Sequence, residues 1–157
     1  WIKKFFYCCN EKGLAVISLP YPQEENSLNV DVNISLPISP IEWYNIIKYS
    51  VGYVGNNMHP IIVSIHNAVP FFSYYGYTKL VTRKVCLECS KIYDLCQKFD
   101  LLDYYSNVQM RNYQFPNPEV VFDRIYNFDK EKAIFLAKKR VNDYKDLMCD
   151  IEKVINE

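Results

Sequence analysis

Short apolar runs alternating with segments of helical character constrain this chain more than any other feature. Leu14-Ala15-Val16-Ile17-Ser18-Leu19, Val51-Gly52-Tyr53-Val54 and Val69-Pro70-Phe71-Phe72-Ser73-Tyr74 are nearly continuous in apolar character. That is the pattern of strands buried on both faces of a parallel sheet. Helix starts fall between them. In Ser39-Pro40-Ile41-Glu42-Trp43 a serine can cap, a proline suits the first helical position and Glu42 stands at capping-box spacing, which predicts a helix to about Tyr49. Gly55-Asn56-Asn57 reads as a turn and Met58 to His66 as the next helix. The βαβαβ-like order predicts one α/β domain over residues 1–157, a Rossmann-like parallel sheet with helices on both faces.

The flanking segments complete this outline. Residues 1–11 read as a helix ended by Gly13, which suits a left-handed C-cap position. Within the long connection 20–38, Val30, Val32 and Ile34 alternate as an edge strand would. A helix is expected from about Cys86 to Phe99, closed by Asp100 and a short Leu101-Leu102 segment, and another over 118–127 behind Pro116 and Pro118. Asp129 caps a long helix, about 129–155, whose apolar positions Ile134, Ala137, Val141, Tyr144, Met148, Ile151 and Ile155 alternate steps of three and four. That stripe either lies across its own domain or forms a seam with a second copy, making the protein a homo-oligomer through this helix. Trp1-Ile2-Lys3-Lys4-Phe5-Phe6 reads as the inside of an amphipathic helix, so the chain is expected to be a piece of a longer one.

Eighteen Lys and Arg offset eighteen Asp and Glu, so no net field favours nucleic acid or an anionic membrane. An anion must be held by local geometry. No run reaches the roughly 20 apolar residues needed to span a bilayer. The six cysteines are unevenly spread in a chain larger than most disulfide scaffolds, which favours reduced thiols and a cytoplasmic location. Cys86-x-x-Cys89 with Cys96 lacks a fourth ligand at finger-like spacing, so no metal site is expected.

Ligands of open parallel sheets bind beyond the carboxyl ends of the strands, at loops leading into helix N-termini. Two such ends carry chemistry. In Val54-Gly55-Asn56-Asn57-Met58-His59-Pro60 the glycine permits a sharp turn, the helix start offers N–H donors to an anion, and His59 stands in the first turn. Asn56 and Asn57 either contact the ligand or permit the turn through their tolerance of left-handed backbone angles. The second end is Ser73-Tyr74-Tyr75-Gly76-Tyr77-Thr78-Lys79. If the two strands are neighbours, Lys79 and His59 enter one crevice about 5 Å apart at the backbone. His66, two turns deeper on nearly the same helical face, is expected to be a packed histidine.

These segments resemble the signature of the polysaccharide pyruvyl transferase family, which reads approximately Gly-x-Arg-Met-His, a helix, a small residue and Pro opening a strand, then Tyr-x-x-Lys. The matching residues are Gly55 to Ile62, Val69-Pro70-Phe71 and Tyr75 to Lys79, with Ser39 to Trp43 and Ser90 to Tyr93 similar to what flanks the signature. The resemblance implies the C-terminal, donor-binding half of a glycosyltransferase-B-like fold. It implies transfer of a pyruvyl group from phosphoenolpyruvate, as a ketal, to a sugar or lipid-linked saccharide of a cell-surface polysaccharide. No other cofactor is implied. The full-length protein would work in the cytoplasm or at the inner face of the membrane, its acceptor side supplied by an N-terminal domain. On this reading His59 is the general acid or phosphate ligand, Lys79 the charge clamp, and Asn56 and Asn57 further donor contacts, while the isolated piece is inactive. Asn57 stands where the family has Arg, removing a guanidinium able to grip an anion bidentately. The alternatives are therefore a non-catalytic binding module for a sugar phosphate or nucleotide, a glycosyltransferase-like domain of another specificity, and a purely structural domain.

Overall fold

A computed structural model describes residues 1–20, 29–75, 90–107 and 116–155. The fold is mixed α/β, with two small parallel sheets and six helices among the described residues. In chain order these are α1 (Ile2–Glu11), β1 (Ile17–Ser18), β2 (Val32–Asn33), α2 (Pro40–Lys48), β3 (Tyr53–Gly55), α3 (Met58–His66), β4 (Phe71–Tyr75), α4 (Lys91–Lys98), β5 (Tyr105–Asn107), α5 (Pro118–Tyr126) and α6 (Lys130–Ile155). A 3₁₀ turn, Leu102–Tyr104, leads directly into β5.

Local signals place most helix ends. Ser39 Oγ accepts the Glu42 N–H at 3.1 Å and the Glu42 carboxylate accepts the Ser39 N–H at 2.9 Å, a complete capping box ahead of Pro40. Asn117 caps α5 through the Glu119 N–H at 3.1 Å, and Asp129 caps α6 through the Lys132 N–H at 2.9 Å. Three helices close with the same double hydrogen bond. After α1 the Gly13 and Leu14 N–H groups reach the Asn10 and Cys9 carbonyls, and Ala68-Val69 and Asp100-Leu101 repeat this after α3 and α4. The motif needs a left-handed residue, at φ 67° for Gly13, 51° for Ala68 and 50° for Asp100. Only Gly13 meets it without Cβ strain.

The strands depart from the expected single sheet. Among the described residues β1 pairs with β2 alone, in parallel (Ile17 opposite Val32), and Ile17 is exposed. The apolar run 14–19 is thus not a strand buried on both faces, because Ile17 lies open to solvent. The second sheet has order β3-β4-β5, all parallel. Its third strand escaped the sequence reading, since Tyr105-Ser106-Asn107 has neither an apolar run nor clear alternation. Of the helix expected from Cys86, residues 86–89 lie outside the described residues, and α4 begins behind Ser90, whose Oγ accepts the Tyr93 N–H at 3.3 Å.

The core forms on both faces of β4. Phe71 points into a cluster built by Ile61 and Ile65 of α3, Ile92 and Cys96 of α4, Leu101, Phe128 and Ala133. Phe72, one residue on, faces the opposite way onto Val121 and Ile125 of α5, with Phe5 of α1 beside them. Successive strand residues point to opposite faces, so helices cover the three-stranded sheet on both sides. The described cysteines (Cys8, Cys9, Cys96, Cys149) are free thiols, and burial pushes the thiol of Cys96 up to about 12.

Candidate functional site

The carboxyl end of β3 leads through Asn56-Asn57 into α3, and β4 lies immediately beside β3, with Tyr53 opposite Phe71 and Gly55 opposite Ser73. The neighbour relation required for the two candidate loops to share one edge is therefore met. His59 is exposed in the first turn of α3, and Asn56 and Asn57 are exposed ahead of it. Asn57 is the N-cap, at φ −91° and ψ 129°, and its side chain makes no capping bond. The first turn of α3 contains no acidic residue, so nothing there opposes an anion at the positive end of the helix. Lys79 lies outside the described residues.

One reading of this turn is corrected. Asn56 and Asn57 do not use left-handed angles, since the only positive-φ residues described are Gly13, Ala68 and Asp100. Gly55 is needed for space instead. A Cβ there would collide with the Tyr53 hydroxyl and stand 2.6 Å from Cζ and 3.1 Å from Cε1. The Tyr53 ring thus folds along its own strand across Gly55, and its hydroxyl accepts the backbone N–H of Asn57. Burial pushes this phenol up to about 12, the Asn57 hydrogen bond acting in the opposite direction. Tyr53 was not singled out in the sequence, although an aromatic residue two positions before a strand glycine is the signal that could have found it.

His66 is also corrected. It is exposed, with Nδ1 3.5 Å from the Tyr44 hydroxyl, which in turn donates to Asn67 Oδ1 at 3.2 Å. His59, Ile62 and His66 share the outward face of α3, while Ile61 and Ile65 face the core. The same-face relation was right, but that face is the solvent side.

Ser73, next to Gly55 in the sheet, is fully buried and its Oγ has no hydrogen-bond partner. Elsewhere, a groove of about 460 Å³ is lined by Ile34, Ser35, Pro37, Ile38, Glu42, Asn45 and Ile46. Its acidic residue, Glu42, is committed to the capping box, and no side chain there converges on a reacting centre. Among the described residues no group of His, Cys, Asp and Glu is arranged to hold a metal ion, and no helix is long and apolar enough to cross a membrane. The chain matches no protein-family model, no curated protein and no solved structure.

Proposed function

We propose that this chain is the donor-binding part of a pyruvyl transferase-like enzyme, resembling the C-terminal half of a glycosyltransferase-B-like fold, which moves a pyruvyl group from phosphoenolpyruvate to a sugar. The observation that supports this reading is the parallel pairing of β3 with β4, which sets the Gly55-to-His59 loop beside the carboxyl end of β4, the strand that Lys79 follows in sequence. The donor is a phosphate ester and a carboxylate, so it suits uncapped helix amides beside an imidazole, to which the resemblance would add the Lys79 ammonium. As the ketal forms, the donor's methylene carbon takes a proton and one sugar hydroxyl oxygen bonds to the neighbouring carbon; a second hydroxyl oxygen then takes the place of the departing phosphate on that carbon, and the two hydroxyl protons pass to the general base and the leaving phosphate. His59 would supply the proton or bind the phosphate, and Lys79 would balance the departing charge. The acceptor is a separate sugar substrate, and on this reading its base would come from the N-terminal domain that the resemblance implies.

One observation favours a second reading, a binding module without catalysis. Asn57 replaces the arginine of the family signature, and its N–H is already bonded to Tyr53. Calorimetric titration of phosphoenolpyruvate tests the pocket: saturable binding lost in His59→Ala and Lys79→Ala is expected, and no binding by the unaltered protein refutes both readings. Ketal product from the full-length protein with saccharide acceptors then separates enzyme from module.

A further inference from the structure

From Lys138 to Lys153 every residue of α6 is exposed. Among the described residues the helix is tied to the body over its first half, by buried Ala133, by Lys132 to Asp100 at 2.7 Å and by Arg140 to the Lys98 carbonyl at 2.6 Å. Beyond Arg140 thirteen residues of helix, about 20 Å, run on to Lys153 with every residue exposed. An isolated helix of that length is marginal in water. Yet this one carries a continuous apolar stripe, Val141, Tyr144, Met148 and Ile151 at heptad spacing with Leu147 beside it, each 41–61% exposed. A stripe in this arrangement requires a partner helix.

The charges say which partner. Over 138–145 the helix carries Lys138, Lys139, Arg140 and Lys145 against Asp143 alone. Over 146–153 it carries Asp146, Asp150 and Glu152 against Lys153 alone. Parallel pairing of two copies sets basic half on basic half and places Arg140 against the partner's Lys145 on both sides. Antiparallel pairing sets basic on acidic. With the two-fold axis near Asp146, Val141 meets the partner's Ile151 and Tyr144 meets the partner's Met148, so the apolar layers fill one another. Lys138 then flanks the partner's Glu152 twice, against one like-charge pair of Lys145 residues at the axis.

We infer that the C-terminal half of α6 is a homodimerisation surface that pairs antiparallel with a second copy of this chain. The inference does not depend on the function proposed for the donor loop. The test is sedimentation of the full-length protein across a concentration series at low salt. The native protein is expected to double its mass, and Met148→Lys, whose side chain is exposed in the single chain, to remain a monomer. Lys138→Glu and Glu152→Lys are each expected to weaken association by about fivefold, because two attractive pairs become repulsive, and the double variant to regain it. Only antiparallel pairing gives that rescue, because parallel pairing leaves the two positions about 21 Å apart. A monomer at every concentration overturns the inference. So does a dimer indifferent to Met148→Lys, a missing rescue, or protection of Cys149 from alkylation in a monomer, which would show the stripe covered by another part of the same chain.

Discussion

Replacing Gly55 by alanine tests the local structure on which the candidate site rests. The new Cβ would meet the Tyr53 hydroxyl and lie 2.6 Å from Cζ, whereas carbon atoms settle at about 3.5–4.0 Å. The strand is fixed by its pairing with β4, so the ring must swing out. Doing so forfeits the hydrogen bond to Asn57, about 1 kcal/mol, and part of the ring's packing on the core, about 1–2 kcal/mol. The expected loss is about 2–3 kcal/mol, read as a shift in the urea midpoint. A second readout isolates the cause. In the native protein burial raises the Tyr53 phenol from 10.0 to about 12. The folded protein thus holds this proton more tightly than the unfolded chain, a contribution fully present below about pH 10 and lost as pH rises towards 12. Two units correspond to about 2.7 kcal/mol, which the ring's partial exposure reduces to about 1–2 kcal/mol. In Gly55→Ala the Tyr53 ring resonance, assigned with Tyr53→Phe, should titrate near 10, and that alkaline contribution should vanish. A loss below about 0.5 kcal/mol with Tyr53 still titrating near 12 would refute the placement of the ring.

Further predictions follow from single sites. Ala68→Gly should stabilise the protein by about 0.5–1 kcal/mol, because Ala68 sits at φ 51° where a Cβ is strained, and Gly13→Ala, at φ 67°, should cost about 1 kcal/mol; thermal unfolding checks both signs. Ser73→Ala removes a buried hydroxyl that has no partner and should be neutral or stabilising by up to about 1 kcal/mol, so a clear loss on denaturation would mean that the hydroxyl is satisfied. Ser39→Ala should cost about 1 kcal/mol. The Glu42 carboxyl, held below its usual range by the Ser39 N–H and hydroxyl, should then titrate closer to an ordinary glutamate. Because its folded pKa is depressed, its contribution is present above the ordinary carboxyl range and fades as pH falls, and in Ser39→Ala this acid-side fading should be reduced. Asn57→Arg, at an exposed N-cap whose side chain makes no capping bond, should raise phosphoenolpyruvate affinity about tenfold by calorimetry. Unchanged affinity would count against an anion at this helix start.

What the residues settle alone is what depends on near neighbours. The capping box at Ser39, the Asp129 cap, the Gly13 ending and the fully apolar strand Phe71-Phe72 rest on hydrogen bonds or side-chain alternation within a few positions, so short stretches of sequence suffice. Strand partnership does not work that way. That β1 leaves the main sheet for β2, that Tyr105–Asn107 completes it, and that His66 faces solvent depend on contacts between residues distant in the chain. Burial and pairing are properties of the assembled layers, and local pattern constrains them only weakly. The site divides along the same line. The place of His59 in the first turn of a helix could be read directly, whereas the Tyr53 phenol on the Asn57 amide emerged only once a glycine and an aromatic ring were found to need the same space on one face of a strand.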